Sequence, residues 1–93
     1  MALLSDDEVQ GRLGELSGWE RKGDSIVRDF KFDDFAQAIA FVNRVADAAE
    51  AANHHPDILV HGWNRVRLSV TNHSQGGLTE ADFSLAKTVD GLV

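Results

Sequence analysis

Apolar positions along the chain change period several times, and each change marks an element. In "LSDDEVQGRLGEL", residues 4–16, Val9, Leu13 and Leu16 fall at i, i+4 and i+7, one face of a helix. Ser5 and Glu8 form a capping-box pattern ahead of them, Leu4 is placed to staple onto Val9, and Ser17-Gly18 stops the run. "WERKGDSIVRDFKF" then reads as a hairpin turning at Gly23-Asp24. Ile26, Phe30 and Phe32 share one side of it, while Val27, Asp29 and Lys31 share the other. The second side is mixed, so one sheet face is expected to be better buried than the other. "DDFAQAIAFVNRVADAAEAAN" is the longest periodic segment, with Phe35, Ile39, Val42, Ala46 and Ala49 at helical spacing and Asp33 or Asp34 as cap. Pro56 disfavours helical backbone at His55, so this helix must finish near Asn53. "DILV" and "RVRLSVT" read as two further strands joined by "HGWN", with Val66, Leu68 and Val70 alternating against Arg65, Arg67 and Ser69. After the flexible "SQGG", Thr79 and Asp82 repeat the capping-box pattern, Leu78 is placed to staple onto Phe83, and the last helix buries Leu85, Ala86 and Val89.

The predicted order is αββαββα. This is an α+β fold, a four-stranded antiparallel sheet with three helices packed on one face. No linker, repeat or low-complexity tract divides residues 1–93, which are expected to form a single domain. Four strands leave two open edges and a second face, and self-association covers them most cheaply, so a homo-oligomer is expected.

Composition narrows the function classes. Apolar residues supply 43% of the chain, enough for a core. There is no cysteine, which excludes disulfides, zinc–thiolate sites and thiol nucleophiles. The start "MALLSDDEVQ" lacks the basic flank and apolar stretch of a signal peptide, and no apolar run approaches the roughly 18 residues of a membrane span. A cytoplasmic protein without membrane association is therefore expected. The formal charge of −6 repels nucleic-acid phosphates, and "RVR" reads as two exposed strand arginines, so no direct nucleic-acid binding is expected.

Candidate chemistry gathers around "NHHPDILVHG", residues 53–62. His54 and His55 follow a helix end and precede the only proline, Glu50 stands one turn earlier, and His73 lies in the loop-like "TNHSQGGLT". Imidazole, with a reference pKa of about 6.5, gives or takes a proton near neutral pH. The same residues admit two other readings. They could satisfy helix-end and loop carbonyls, or hold zinc with a carboxylate, although the adjacent pair lacks the i, i+4 register of a helical zinc motif. His61 reads as a surface residue, Asp82 as the third residue of a capped helix, and Trp19 and Trp63 as core, interface or stacking residues. No nucleophile elbow, phosphate-binding glycine loop or dinucleotide fingerprint is present.

"AEAANHHPD", "TNH" and "GGLTEAD", together with "GW", the phenylalanines at 30, 32 and 35, and the terminal "LAKTVD", resemble the pterin-4a-carbinolamine dehydratase family. The resemblance runs from Leu4 to Asp90. E-x-x-N-H-H-P, then T-x-H, then G-L-T-x-x-D is a specific combination. It implies a four-stranded antiparallel sheet with helices on one face, assembled as dimers or dimers of dimers. The implied activity is dehydration of a 4a-hydroxytetrahydropterin to the quinonoid dihydropterin, which regenerates the cofactor of aromatic amino-acid hydroxylation. On this resemblance His54, His55 and His73 are the catalytic histidines, and Glu50, Pro56 and Asp82 bind or orient the substrate. His54 and His73 would transfer protons around the 4a-hydroxyl and N5, and His55 would bind or orient the pterin. No metal or redox cofactor is implied, since the pterin is the substrate. Animal members also dimerise with a transcription factor, so a regulatory binding module with little turnover is the rival expectation; action on another pterin is a third. Trp63 stands where many members have tyrosine, and the Pro56–His73 spacing is one residue longer than in the animal proteins.

Overall fold

The computed structural model describes residues 2–93; Met1, the first residue of the expected domain, lies outside them. The elements are α1 (Asp6–Leu13), β1 (Glu20–Lys22), β2 (Ser25–Lys31), α2 (Phe35–Ala52), β3 (Asp57–His61), β4 (Arg65–Val70) and α3 (Glu80–Asp90), in the expected order. All pairings are antiparallel, and the sheet order is β1-β2-β4-β3. Two hairpins are thus joined through β2 and β4, whose ladder runs from Ile26↔Val70 to Lys31↔Arg65.

The pleat sorts side chains by parity. Ile26, Phe30, Val66, Leu68 and Val70 are buried in one cluster with helix residues, so this face carries α1, α2 and α3. Asp29, Lys31, Arg65 and Arg67 are exposed on the opposite face.

Capping follows the sequence. Glu8 N–H donates to Ser5 Oγ (3.2 Å) and Ser5 N–H to Glu8 Oε1 (2.9 Å), completing the capping box of α1. This helix ends at Leu13, and Leu16 packs against the core from beyond it. Asp34 caps α2 by accepting from Gln37 N–H at 2.7 Å.

The buried stripe of α2 differs from the expected one. Ala38, Phe41, Val45 and Ala49 are buried, with Val42 partly so, whereas Phe35 is 54% exposed and Ala46 is exposed. The helix is apolar around most of its circumference, so periodicity alone offers more than one stripe. The aromatic contacts choose. Phe41 packs at 4.8 Å from the Phe30 ring and 5.0 Å from the Phe32 ring, and full burial of one such side chain is worth about 1.5–3 kcal/mol.

Helix α3 is held at both ends. Arg12 pairs with Glu80, and Leu4 N–H donates to Leu78 O at 2.9 Å, tying its start to the N-terminal segment. At its end, Asp90 accepts from Trp19 Nε1 (2.9 Å) and Arg28 (2.6 Å), and the Arg28 guanidinium lies 4.5 Å over the Phe30 ring. These anchors fix the first turn of α3, which carries Thr79 and Asp82.

Candidate active site at the end of helix α2

The end of α2 determines where the paired histidines point. Asn53 adopts left-handed backbone (φ 50°), and its N–H reaches the carbonyls of Ala49 and Glu50. His54 N–H bonds Ala49 O at 3.1 Å, completing the cap. The two imidazoles then diverge. The His54 side chain is only 15% exposed, whereas that of His55 is 58% exposed.

His54 turns inward to Asp82. Its Nε2 lies 2.5 Å from Asp82 Oδ1, and Asp82 is fully buried. The second carboxylate oxygen accepts the Thr79 N–H at 2.7 Å and the Thr79 hydroxyl at 3.3 Å. With Asp82 ionised both of its oxygens accept, and Nε2 of His54 is then the nitrogen that carries the hydrogen. In the neutral ring this leaves Nδ1 as an acceptor. Asp82 is at once the cap of α3 and the partner of His54. Thr79, which sequence reading treated only as a cap, is the residue that holds this carboxylate.

His55 turns outward to Glu50, with Nε2 2.6 Å from Glu50 Oε2. Both partners are largely exposed, so water screens this pair far more than the buried one. Pro56 is half-buried and starts the chain toward β3. His73 is exposed in the turn after β4. Asn72 closes that loop, its carbonyl accepting from Gly76 (2.9 Å) and Gly77 (3.3 Å). Among the described residues, no hydrogen bond or ion pair joins His73 to the other two histidines. The structure thus brings His54 to Asp82 and His55 to Glu50, and bonds His73 to neither pair. No cluster of three or more His, Asp or Glu side chains positioned for a metal ion occurs among the described residues.

His61 departs from its surface reading. It is the last residue of β3, paired in register with Arg65, and is half-buried with a buried Nε2 that has no partner. It lines a cleft of about 260 Å³ on the helix-free face together with Asp29, Phe30, Lys31, Arg65 and Arg67. That cleft contains none of the other three histidines. Its carboxylate, Asp29, is taken up by Arg67 at 2.8 and 3.3 Å, so the imidazole–carboxylate chemistry belongs to the end of α2 rather than to the cleft. Trp19 is a core residue, 62% of Trp63 is exposed, and no helix among the described residues is long and apolar enough to cross a membrane.

The geometry meets an independent set of likenesses. The sequence model of the family Pterin 4 alpha carbinolamine dehydratase matches residues 2–92. A protein of Thermomicrobium roseum, provisionally named pterin-4-alpha-carbinolamine dehydratase, is 52% identical over 92 residues, covering 99% of this chain and 98% of that one. A protein of Roseiflexus sp. with the same provisional name is 51% identical over 90 residues, covering 97% and 96%. A crystal structure from Brucella melitensis, described as a transcriptional coactivator/pterin dehydratase, superposes with a TM-score of 0.93 at 33% identity and covers 98% of both chains. A pterin dehydratase-like protein identified as a RuBisCO assembly factor in the alpha-carboxysome superposes at 0.64 with 28% identity, covering 80% of this chain and 84% of that one. A match over residues 2–92, carried by near-complete relatives at half identity, leaves no part of the architecture outside the likeness: the chain belongs to the pterin-4-alpha-carbinolamine dehydratase family.

Proposed function

We propose that this protein dehydrates a 4a-hydroxytetrahydropterin to the quinonoid dihydropterin by histidine general acid–base catalysis, recycling the pterin cofactor of aromatic amino-acid hydroxylation in the cytoplasm. Family membership carries the coarse activity, a pterin carbinolamine dehydratase and hence a hydro-lyase. The observation that supports histidine catalysis is the His54–Asp82 pair, a largely buried imidazole whose Nε2 lies 2.5 Å from a fully buried carboxylate.

The chemistry needs two proton transfers. The C4a hydroxyl leaves poorly as hydroxide, so an acid must protonate it while a base removes the N5 proton. Water departs, the N5–C4a double bond forms, and no electron changes hands. We assign the base to His54 Nδ1, because buried Asp82 at the far side of the ring stabilises the imidazolium as it forms. We assign the acid to His73, and to His55 with Glu50 and Pro56 the orientation of the pterin ring. This reading requires neither metal nor redox cofactor, and turnover should persist in chelator. The two open edge strands, with Leu59 of β3 53% exposed, support a homodimer or homotetramer, which sedimentation would reveal.

A second reading draws on the descriptions of the two solved structures, one a coactivator and one an assembly factor. Under it the chain is a partner-binding module with little turnover. A coupled assay with chemically generated 4a-hydroxytetrahydropterin separates the two. Turnover above the uncatalysed background supports the enzyme, and its absence in folded protein supports the module.

A further inference from the structure

We propose that the helix-free face of the sheet carries a second binding site, a cleft that takes the phosphate group of a small phosphomonoester between Lys31 and Arg65, with His61 in its wall. The proposal does not depend on the dehydratase reading, because the cleft shares no residue with the histidine site.

The strand register builds the site. Lys31↔Arg65 and His61↔Arg65 place these three side chains in one row across β2, β4 and β3. Adjacent strands lie about 4.8 Å apart, so the row spans roughly 10 Å, and a tetrahedral anion can touch two neighbours at once. The next row holds Asp29, Arg67 and Leu59. There Asp29 meets Arg67 at 2.8 and 3.3 Å, which consumes the one carboxylate lining the cleft. Lys31 and Arg65 have no ion-pair partner among the described residues. Two cations directly opposite on neighbouring strands destabilise a sheet, and an anion between them removes the repulsion.

Charge and size agree. Three cations and one carboxylate line the cleft, an excess of positive charge in a chain whose net charge is −6. That overall charge disfavours an extended polyanion but tolerates a single dianion held locally. His61 lines the cleft with its Nε2 covered, so the imidazole is part of the wall and the cations Lys31 and Arg65 are the groups that reach an anion. The cleft of about 260 Å³ equals the liquid volume of roughly nine waters, more than a bare phosphate fills, so there is room for a small organic body. The guanidinium of Arg65 suits two phosphate oxygens and the Lys31 ammonium a third.

The test uses the isotope-labelled protein titrated with inorganic phosphate and, separately, with glycerol 2-phosphate, each against sodium chloride at matched ionic strength. Amide shifts should concentrate at residues 29–31, 61 and 65–67. Tighter binding of the ester than of phosphate identifies the ester as the ligand class; equal binding identifies the free anion, and both support the site. Lys31→Gln and Arg65→Gln should each weaken binding about tenfold, the equivalent of ~1.4 kcal/mol, and leave dehydratase turnover unchanged. Phosphate should raise the wild-type melting temperature more than that of the double variant, which separates binding from the general stabilising effect of phosphate salts. Shifts spread over the surface, an equal phosphate effect on both proteins, or tighter binding of a DNA duplex than of the ester would overturn the proposal. So would shifts that track protein concentration instead of phosphate, since these would mark a contact between copies.

Discussion

Asparagine at position 82 keeps the shape of the side chain and removes one acceptor. Asp82 is fully buried, takes His54 Nε2 on Oδ1 at 2.5 Å and takes the Thr79 N–H on Oδ2 at 2.7 Å. An amide has a single oxygen, so Asp82→Asn serves only one of these donors. With its oxygen on Thr79 the cap survives, and the amide NH₂ faces His54. Two donors cannot share that bond, so the His54 hydrogen moves to Nδ1 and the free acceptor is lost. With its oxygen on His54 the tautomer survives, but the cap of about 1 kcal/mol is lost and buried donors oppose each other at about 1–3 kcal/mol more. The first arrangement is favoured, because it exchanges a charge-assisted bond for a neutral one at about 1 kcal/mol. Asp82→Asn should therefore melt about 4–8 °C lower, as expected for a domain of this size. Its turnover should fall about 10²–10⁴-fold, or roughly 3–5 kcal/mol of barrier, because the base is held in the wrong tautomer. Thermal melting followed by circular dichroism gives the first quantity, and the background-subtracted dehydration assay the second. Wild-type turnover in folded Asp82→Asn would refute the assignment of His54 Nδ1 as base. A loss no larger than the unfolded fraction would reduce Asp82 to a helix cap.

The other histidines are ranked by the same assay. His54→Ala and His73→Ala should each lose about 10²–10⁴-fold in turnover, His55→Ala should act mainly on KM, and His61→Ala should leave turnover near wild type. Gly18→Ala should destabilise by about 1–3 kcal/mol without changing kcat in the folded fraction, because Gly18 has φ +83° and an added Cβ would lie 2.9 Å from Arg28 Nε. That contact would push Arg28 off Asp90, and a melting temperature equal to wild type would contradict it. Acid stability gives a further check. The Arg67 hydrogen bond holds the Asp29 carboxyl below its ordinary value, and the Arg12 hydrogen bond does the same for Glu80. A lowered folded pKa stabilises above the ordinary carboxylate value and loses that contribution as pH falls through the folded one, so Asp29→Asn should flatten the acid limb of the melting profile; an unchanged limb would argue against the pair.

Much of the fold was legible because its signals are local. The caps of α1 and α2, the Gly23 turn and strand alternation each depend on a few neighbouring positions and appear where expected. The failure on α2 has a different origin. An alanine-rich helix carries little contrast between faces, and its rotation was settled by Phe41 meeting Phe30 and Phe32 from a separate element. His61 was misplaced by one residue of strand length. Reading the strand as "DILV" ends it at Val60 and leaves His61 in the strand or the turn, but the ladder continues to His61↔Arg65, which sets the imidazole on the sheet face.

The candidate site was half legible for a related reason. Thr79-x-x-Asp82 looks the same whether its carboxylate caps a helix or also holds an imidazole 28 residues away, and no local pattern separates the two. The deciding step lies at the end of α2. Pro56 disfavours helical backbone at His55, and Asn53, two residues earlier, makes the turn in the left-handed conformation. That turn sends His54 inward, to a buried carboxylate already fixed by Thr79, and sends His55 outward to Glu50. Had the helix continued one more residue, the two imidazoles would have rotated by about 100° and the pairing with Asp82 would be lost. The adjacency of two histidines and a proline thus has a physical basis: the proline keeps the helix from running through His55, Asn53 ends it, and the stopping point decides which imidazole receives the buried partner.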